Sequence, residues 1–153
     1  MDIIGRIGKG IIAGFIATVA LSLVVDPIAS LARTLWASSS SATAWLLHFF
    51  VGTLVWGSAF ALLHDHMSGP SWLRGIVFAS GAWLMVMLVA MPLAGAGLFA
   101  SELGLAAVAA TLIIHAIYGA VLGGIYGEIV NRDGDPTPRD CGREDKRLHP
   151  LVR

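Results

Sequence analysis

The stretch His115-Ala-Ile-Tyr-Gly119-Ala-Val-Leu-Gly-Gly124 places an imidazole inside an apolar segment, with a glycine one helical turn further on. It belongs to a charge-free run from Leu103 to Gly127. That run exceeds the roughly 20 residues a helix needs to cross a hydrocarbon core. An earlier copy, His48-Phe-Phe-Val-Gly52-Thr-Leu-Val-Trp-Gly57, keeps the same His-x3-Gly-x4-Gly spacing. Residues four apart share a helix face, and glycine on that face lets a neighbouring backbone come close. Both segments therefore read as membrane helices packed through Gly52, Gly57, Gly119 and Gly124, with their histidines turned into the bundle.

Three further charge-free runs surround these motifs: Gly10 to Val25, Thr34 to Leu63, and Gly75 to Ser101. Of the 153 residues, 56% are hydrophobic and only 13% charged, with a mean hydropathy of +0.77. This is too apolar for an ordinary soluble domain. The apolar residues are continuous and do not alternate, which excludes a β-barrel. The expected fold is all-α and polytopic, with four transmembrane helices over about 8–26, 42–63, 73–91 and 104–128 in a domain covering 1–130. Residues 131–153 are charged and proline-bearing and read as a disordered cytoplasmic tail. No small-x-small cleavage site follows the first apolar run, so it is read as a retained span and not a secretion signal. The single cysteine, Cys141, excludes an internal disulfide framework and a four-cysteine metal site.

Basic residues set the orientation. Arg6, Lys9 and Arg74 join six Lys or Arg of the tail on one side, and only Arg33 lies on the other. The positive-inside rule then predicts cytoplasmic N- and C-termini in a bacterial inner membrane, with Trp36 and Trp45 at the outer interface and Trp72 at the inner one. The tail balances six basic against five acidic side chains, which argues against a nucleic-acid partner. The lipid bilayer is the implied partner, and a homodimer or larger membrane complex is expected if the protein transports, because four helices are few for a substrate path.

The halves of the chain echo one another. Lys9-Gly10-Ile11 matches Arg74-Gly75-Ile76, and Asp26-Pro27-Ile28-Ala29 matches Met91-Pro92-Leu93-Ala94 in the same register, before the two histidine motifs. Two parallel two-helix repeats follow, related by an axis along the membrane normal. The residue before a proline avoids the α region, so helices one and three are expected to end or kink at Asp26 and Met91. The run Pro70-Ser-Trp-Leu-Arg-Gly75, then Met91-Pro-Leu-Ala-Gly-Ala-Gly-Leu-Phe99, then the His115 motif resembles a family of small bacterial inner-membrane proteins of unknown function, akin to the YagU-like group. The resemblance implies a four-helix membrane fold and a link to acid tolerance. It implies no catalytic chemistry.

Ionisable groups inside a span are expensive and often functional. At 1.5 Å per residue, Asp26, His48, Met91 and His115 all fall roughly 20–24 Å from the cytoplasmic boundary, forming one polar layer. His48 and His115 could ligate haem b or, with methionine, copper. They could relay protons with Asp26, or simply fix helix register through hydrogen bonds. Met85, Met87 and Met91 are read as packing. His64-Asp65-His66 is read as a solvated loop, because i and i+2 do not share a helix face. No phosphate loop, zinc-ligand spacing or nucleophile motif is present. The expected function is a small transporter- or channel-like protein or an accessory membrane subunit, with no enzymatic activity; the alternative is a haem- or metal-binding membrane protein.

Overall fold

A computed structural model describes residues 3–25, 41–93, 95 and 97–134. Among these every regular element is helical, and four segments are long and apolar enough to cross a membrane. Helix α1 spans Ile3–Val25. Helix α2 joins Ser41–Phe50, a wider π turn at Val51–Trp56 and Gly57–Leu63, and tightens into a 3-10 turn at His64–His66. Helix α3 joins Ser71–Met85, a second π turn at Val86–Ala90 and Met91–Leu93, and α4 runs unbroken over Leu105–Gly134. Asp26 and the tail beyond Gly134 lie outside the described residues. The end at which α1 starts, α2 turns into α3 and α4 finishes is called proximal below, and the other end distal.

Two boundaries differ from expectation for local reasons. Helix α3 continues through Met91-Pro92 instead of stopping there. Proline has no N–H to donate and crowds the carbonyl four residues back, and the π turn just before it widens the helix where that crowding falls. Helix α4 runs past residue 128, its expected end, to Gly134. Arg132 donates to Glu128 one turn earlier at 2.8 Å, and Asp133 pairs with Lys9 of α1. Between α3 and α4 the chain reverses through Gly95, Gly97 and Gly104, all at positive φ, with Phe99 and Ala100 also left-handed.

Glycine holds each hairpin together. A Cβ on Gly10 would strike the Gly57 carbonyl and Ala61, so α1 and α2 touch backbone to backbone there. In the second hairpin a Cβ on Gly75 would strike the Gly119 carbonyl, and Gly123 lies against Ser71 and Gly75. Lipid tails are as apolar as leucine, so close approach and dispersion, not water exclusion, drive such contacts. The two hairpins use glycine alike but not at the positions the histidine motifs align. The motif pairs Gly57 with Gly124, whereas the structure gives Gly57 and Gly119 the same task and leaves Gly124 in open space. Gly52 packs on the Thr18 side chain.

The hairpins meet through α1 against α4 and through an aromatic cluster. Phe60 of α2 lies 5.4 Å from Phe78 of α3 and 5.5 Å from Tyr126 of α4, centroid to centroid. Trp56 adds an edge-on contact to Phe78. Phe60, Leu122 and Tyr126 are at most 1% exposed. Large apolar side chains such as Phe15, Leu46, Val77 and Ile113 face outward, where lipid would lie.

The glycine contacts predict an asymmetric response to small substitutions. Gly75→Val should lower stability by about 2–3 kcal/mol, the range of core overpacking, while Gly124→Val should change it little. Thermal unfolding followed by circular dichroism in detergent micelles reads both, and equal melting of the two variants would refute the packing.

Candidate functional site

The two histidine motifs sit level with each other. Helices α2 and α4 run in the same direction, with Phe60 against Tyr126 and the Tyr118 hydroxyl donating to the Gly52 carbonyl at 2.6 Å. Gly52 and Tyr118 each follow a histidine by about one turn, so His48 and His115 lie at one depth. The bond falls on the π turn at Val51–Trp56, where backbone pairing departs from the regular pattern. Thr18 of α1 completes this three-helix node, since its hydroxyl lies within hydrogen-bonding reach of Tyr118 and donates to the Gly14 carbonyl at 2.7 Å.

The two imidazoles are placed differently. His115 is partly buried, and its Nδ1 donates to the Thr111 carbonyl one turn back at 2.8 Å. That bond fixes the ring and leaves Nε2 as the nitrogen able to ligate or accept. His48 lies on the exposed surface of α2, edge-on to Phe49 at 5.9 Å, although an inward position was expected. Met91 is not brought to this level. Trp83 Nε1 donates to Thr111 Oγ1 at 3.1 Å, and Met91 lies eight residues distal to Trp83, roughly 12 Å further along α3. Among the described residues no group of three or more His, Cys, Asp or Glu is placed to hold a metal ion.

A second polar site lies at the proximal end, where the sequence reading expected a solvated loop. His64 is 7% exposed, packed between the rings of Phe60 and Tyr126. Its Nδ1 lies 3.0 Å from Asp65 Oδ1 and its Nε2 lies 3.1 Å from Ser71 Oγ. Asp65 Oδ2 is held by Arg6 of α1 at 2.8 Å, and the same guanidinium donates to the Ala61 carbonyl at 3.0 Å. Arg74 donates to the Gly69 carbonyl at 2.7 Å and to the His64 carbonyl at 3.1 Å, which brings its Nη1 within 3.4 Å of both ring nitrogens. Gly127 makes room for the Ser71 side chain.

This geometry follows from the turn. The 3-10 turn redirects His64 inward, Gly69 takes a φ of 101° and extended Pro70 leads into α3 at Ser71. The eight residues from His64 to Ser71 fold back so that both ends meet. The Gly-Pro turn with His-Asp before it and Ser after it was the available signal. A helical-face test on His64 and His66 could not read it, because the helix has already tightened there.

The site joins α1, the α2 end, α3 and α4, so its members should differ sharply in stability cost. His64→Ala should lose roughly 2–3 kcal/mol, because it empties a buried ring position and strips partners from Asp65 and Ser71. The Arg6–Asp65 pair, with Asp65 well exposed, should show a coupling below about 1 kcal/mol in a double-mutant cycle. Denaturant titration in mixed micelles measures both; a coupling larger than the His64→Ala cost would invert this ranking.

No curated protein and no solved structure matched the chain in comparison. One family does match, over residues 4–136, nearly the whole described length. The chain, four apolar helices with these two polar sites, thus belongs to the family of unknown function DUF6789.

Proposed function

We propose that the protein is an accessory subunit of the bacterial inner membrane, with both termini in the cytoplasm, that works through its outer face in a larger membrane complex. The observation that carries this reading is the filled interior: Phe60, Leu122 and Tyr126 occupy the middle of the bundle with at most 1% exposure. A single copy so packed is better suited to holding a partner than to passing a substrate. The orientation is supported by Arg6, Lys9, Arg74 and Arg132 standing at the proximal end, and by five more basic residues in the sequence after α4. The likeness to YagU-like inner-membrane proteins and the two-helix repeat are in keeping with it.

Two measurements test this. A cysteine at Ser68, in the exposed α2–α3 turn, with Cys141 replaced by serine, should resist a membrane-impermeant maleimide in intact cells and react after lysis; labelling of intact cells would reverse the orientation. Crosslinking in native membranes should trap a defined complex. A strict monomer, or substantial ion flux in proteoliposomes of the pure protein, would overturn the accessory role.

A second reading is favoured by the His115 ring, whose Nδ1 bond to Thr111 presents Nε2 in the manner of a metal ligand. Here His48 and His115 would share an ion. A copper ion or haem b would sit between α2 and α4, which the Tyr118 bond to the Gly52 carbonyl ties together at this level. Elemental analysis and an absorption spectrum of the purified protein decide it. Stoichiometric copper lost in His115→Ala would establish this reading, and a colourless, metal-free preparation would remove it.

A further inference from the structure

We propose that Ser71, His64 and Asp65 form a nucleophilic hydrolase site at the proximal surface, acting on the carboxylic ester of a membrane-resident acyl lipid. This goes beyond the accessory reading and needs neither a partner nor a particular orientation.

The geometry is a carboxylate, an imidazole and a hydroxyl in one hydrogen-bonded line. Asp65 Oδ1 stands 3.0 Å from His64 Nδ1, and His64 Nε2 stands 3.1 Å from Ser71 Oγ. Such a constellation is recognised by roles and distances, not by chain order. With Nδ1–H donating to Asp65, the Nε2 lone pair is the one that accepts the serine proton. Asp65 is itself fixed, because Arg6 holds its other oxygen at 2.8 Å. Burial between Phe60 and Tyr126 keeps the ring in place.

The surroundings supply the remaining parts. Ser71 opens α3, a helix of 15 residues before its π turn. The amides of Ser71 and Trp72 head that helix, where no intrahelical acceptor exists. They form a donor pair at the positive end of the dipole, suited to an oxyanion. Pro70, Trp72 and Leu73 are exposed and Ser71 partly so. The site lies where two candidate membrane spans meet, Leu46–His66 and Ser71–Leu93, and the ends of spans face the headgroup region.

The chemistry balances with water as the only co-reactant. Ser71 Oγ attacks the ester carbonyl carbon while its proton passes to His64 Nε2, and the oxyanion rests on the helix amides. Collapse breaks the alkoxy C–O bond, and the departing alcohol takes the proton from Nε2. Water then attacks the acyl-serine, gives a proton to Nε2, and releases the fatty acid with Ser71 restored. Asp65 is a positioning residue, since it acts through His64.

The test uses the full chain in nanodiscs with a fluorophosphonate probe, adduct mapping by mass spectrometry, and p-nitrophenyl ester hydrolysis. An adduct on Ser71 is expected. Ser71→Ala should abolish it, while Ser68→Ala and Ser80→Ala, elsewhere on the turn and on α3, should keep it. Asp65→Asn should slow labelling at least tenfold and lower kcat at unchanged KM, with Asp65→Glu recovering part of the rate. His64→Gln, if folded by gel filtration and circular dichroism, should also lose the adduct; Asp65→Asn and Ser71→Ala test the site whether or not it folds. No adduct on folded wild-type protein, an adduct surviving Ser71→Ala, or an unchanged rate in Asp65→Asn would overturn the proposal.

Discussion

Backbone-to-backbone contact at glycine is the constraint on which the rest of this structure depends. In lipid there is no water to expel from between helices, so a stable pair must gain dispersion by coming unusually close. Gly10 and Gly14 against Gly57 in the first hairpin, and Gly75 against Gly119 and Gly123 in the second, provide that closeness. The approach also explains why polar groups can bridge helices at all. Arg6 of α1 reaches the Ala61 carbonyl of α2 across such a contact.

Polar groups are then placed where the helices stop being regular. The π turn at Val51–Trp56 receives the Tyr118 hydroxyl, and the 3-10 turn at His64–His66 turns an imidazole into the bundle. A regular helix satisfies its own backbone and leaves little for another element to bond. Irregular turns are therefore the places at which four apolar helices acquire specific chemistry. The proximal site shows this most clearly, since it gathers Arg6, His64, Asp65, Ser71 and Arg74 around a single tight turn.

How much of this was legible in the sequence depended on the range of the signal. Four apolar helices, with no strand among the described residues, could be read from charge-free runs, because a continuous apolar stretch of that length suits a helix and not an alternating strand. Met91 could not be placed that way. Its depth was counted from the proximal end of α3, while His115 was counted along α4, and the stagger of the two helices is set by Gly75 meeting Gly119. The exposure of His48 was equally hidden, since a motif fixes which residues share a face but not which way that face turns. Gly124 looked equivalent to Gly57 by motif, yet it is Gly119 that does the same work. His64 was misread for a different reason: its burial comes from a turn that doubles the chain back, and helical-face reasoning has no purchase once the helix ends.

The aromatic cluster has a consequence for how the protein is made. Each glycine contact lies within a hairpin, α1 with α2 or α3 with α4, and so joins segments that leave the ribosome one after the other. Phe60 against Phe78 and Tyr126 joins segments from different hairpins. Biogenesis can therefore proceed as two successive hairpin insertions, followed by lateral docking through the aromatic rings and the α1–α4 contact. His64, seated in that same cluster, acquires its environment only at the last of these steps, so the proximal site is assembled by completion of the fold and cannot precede it.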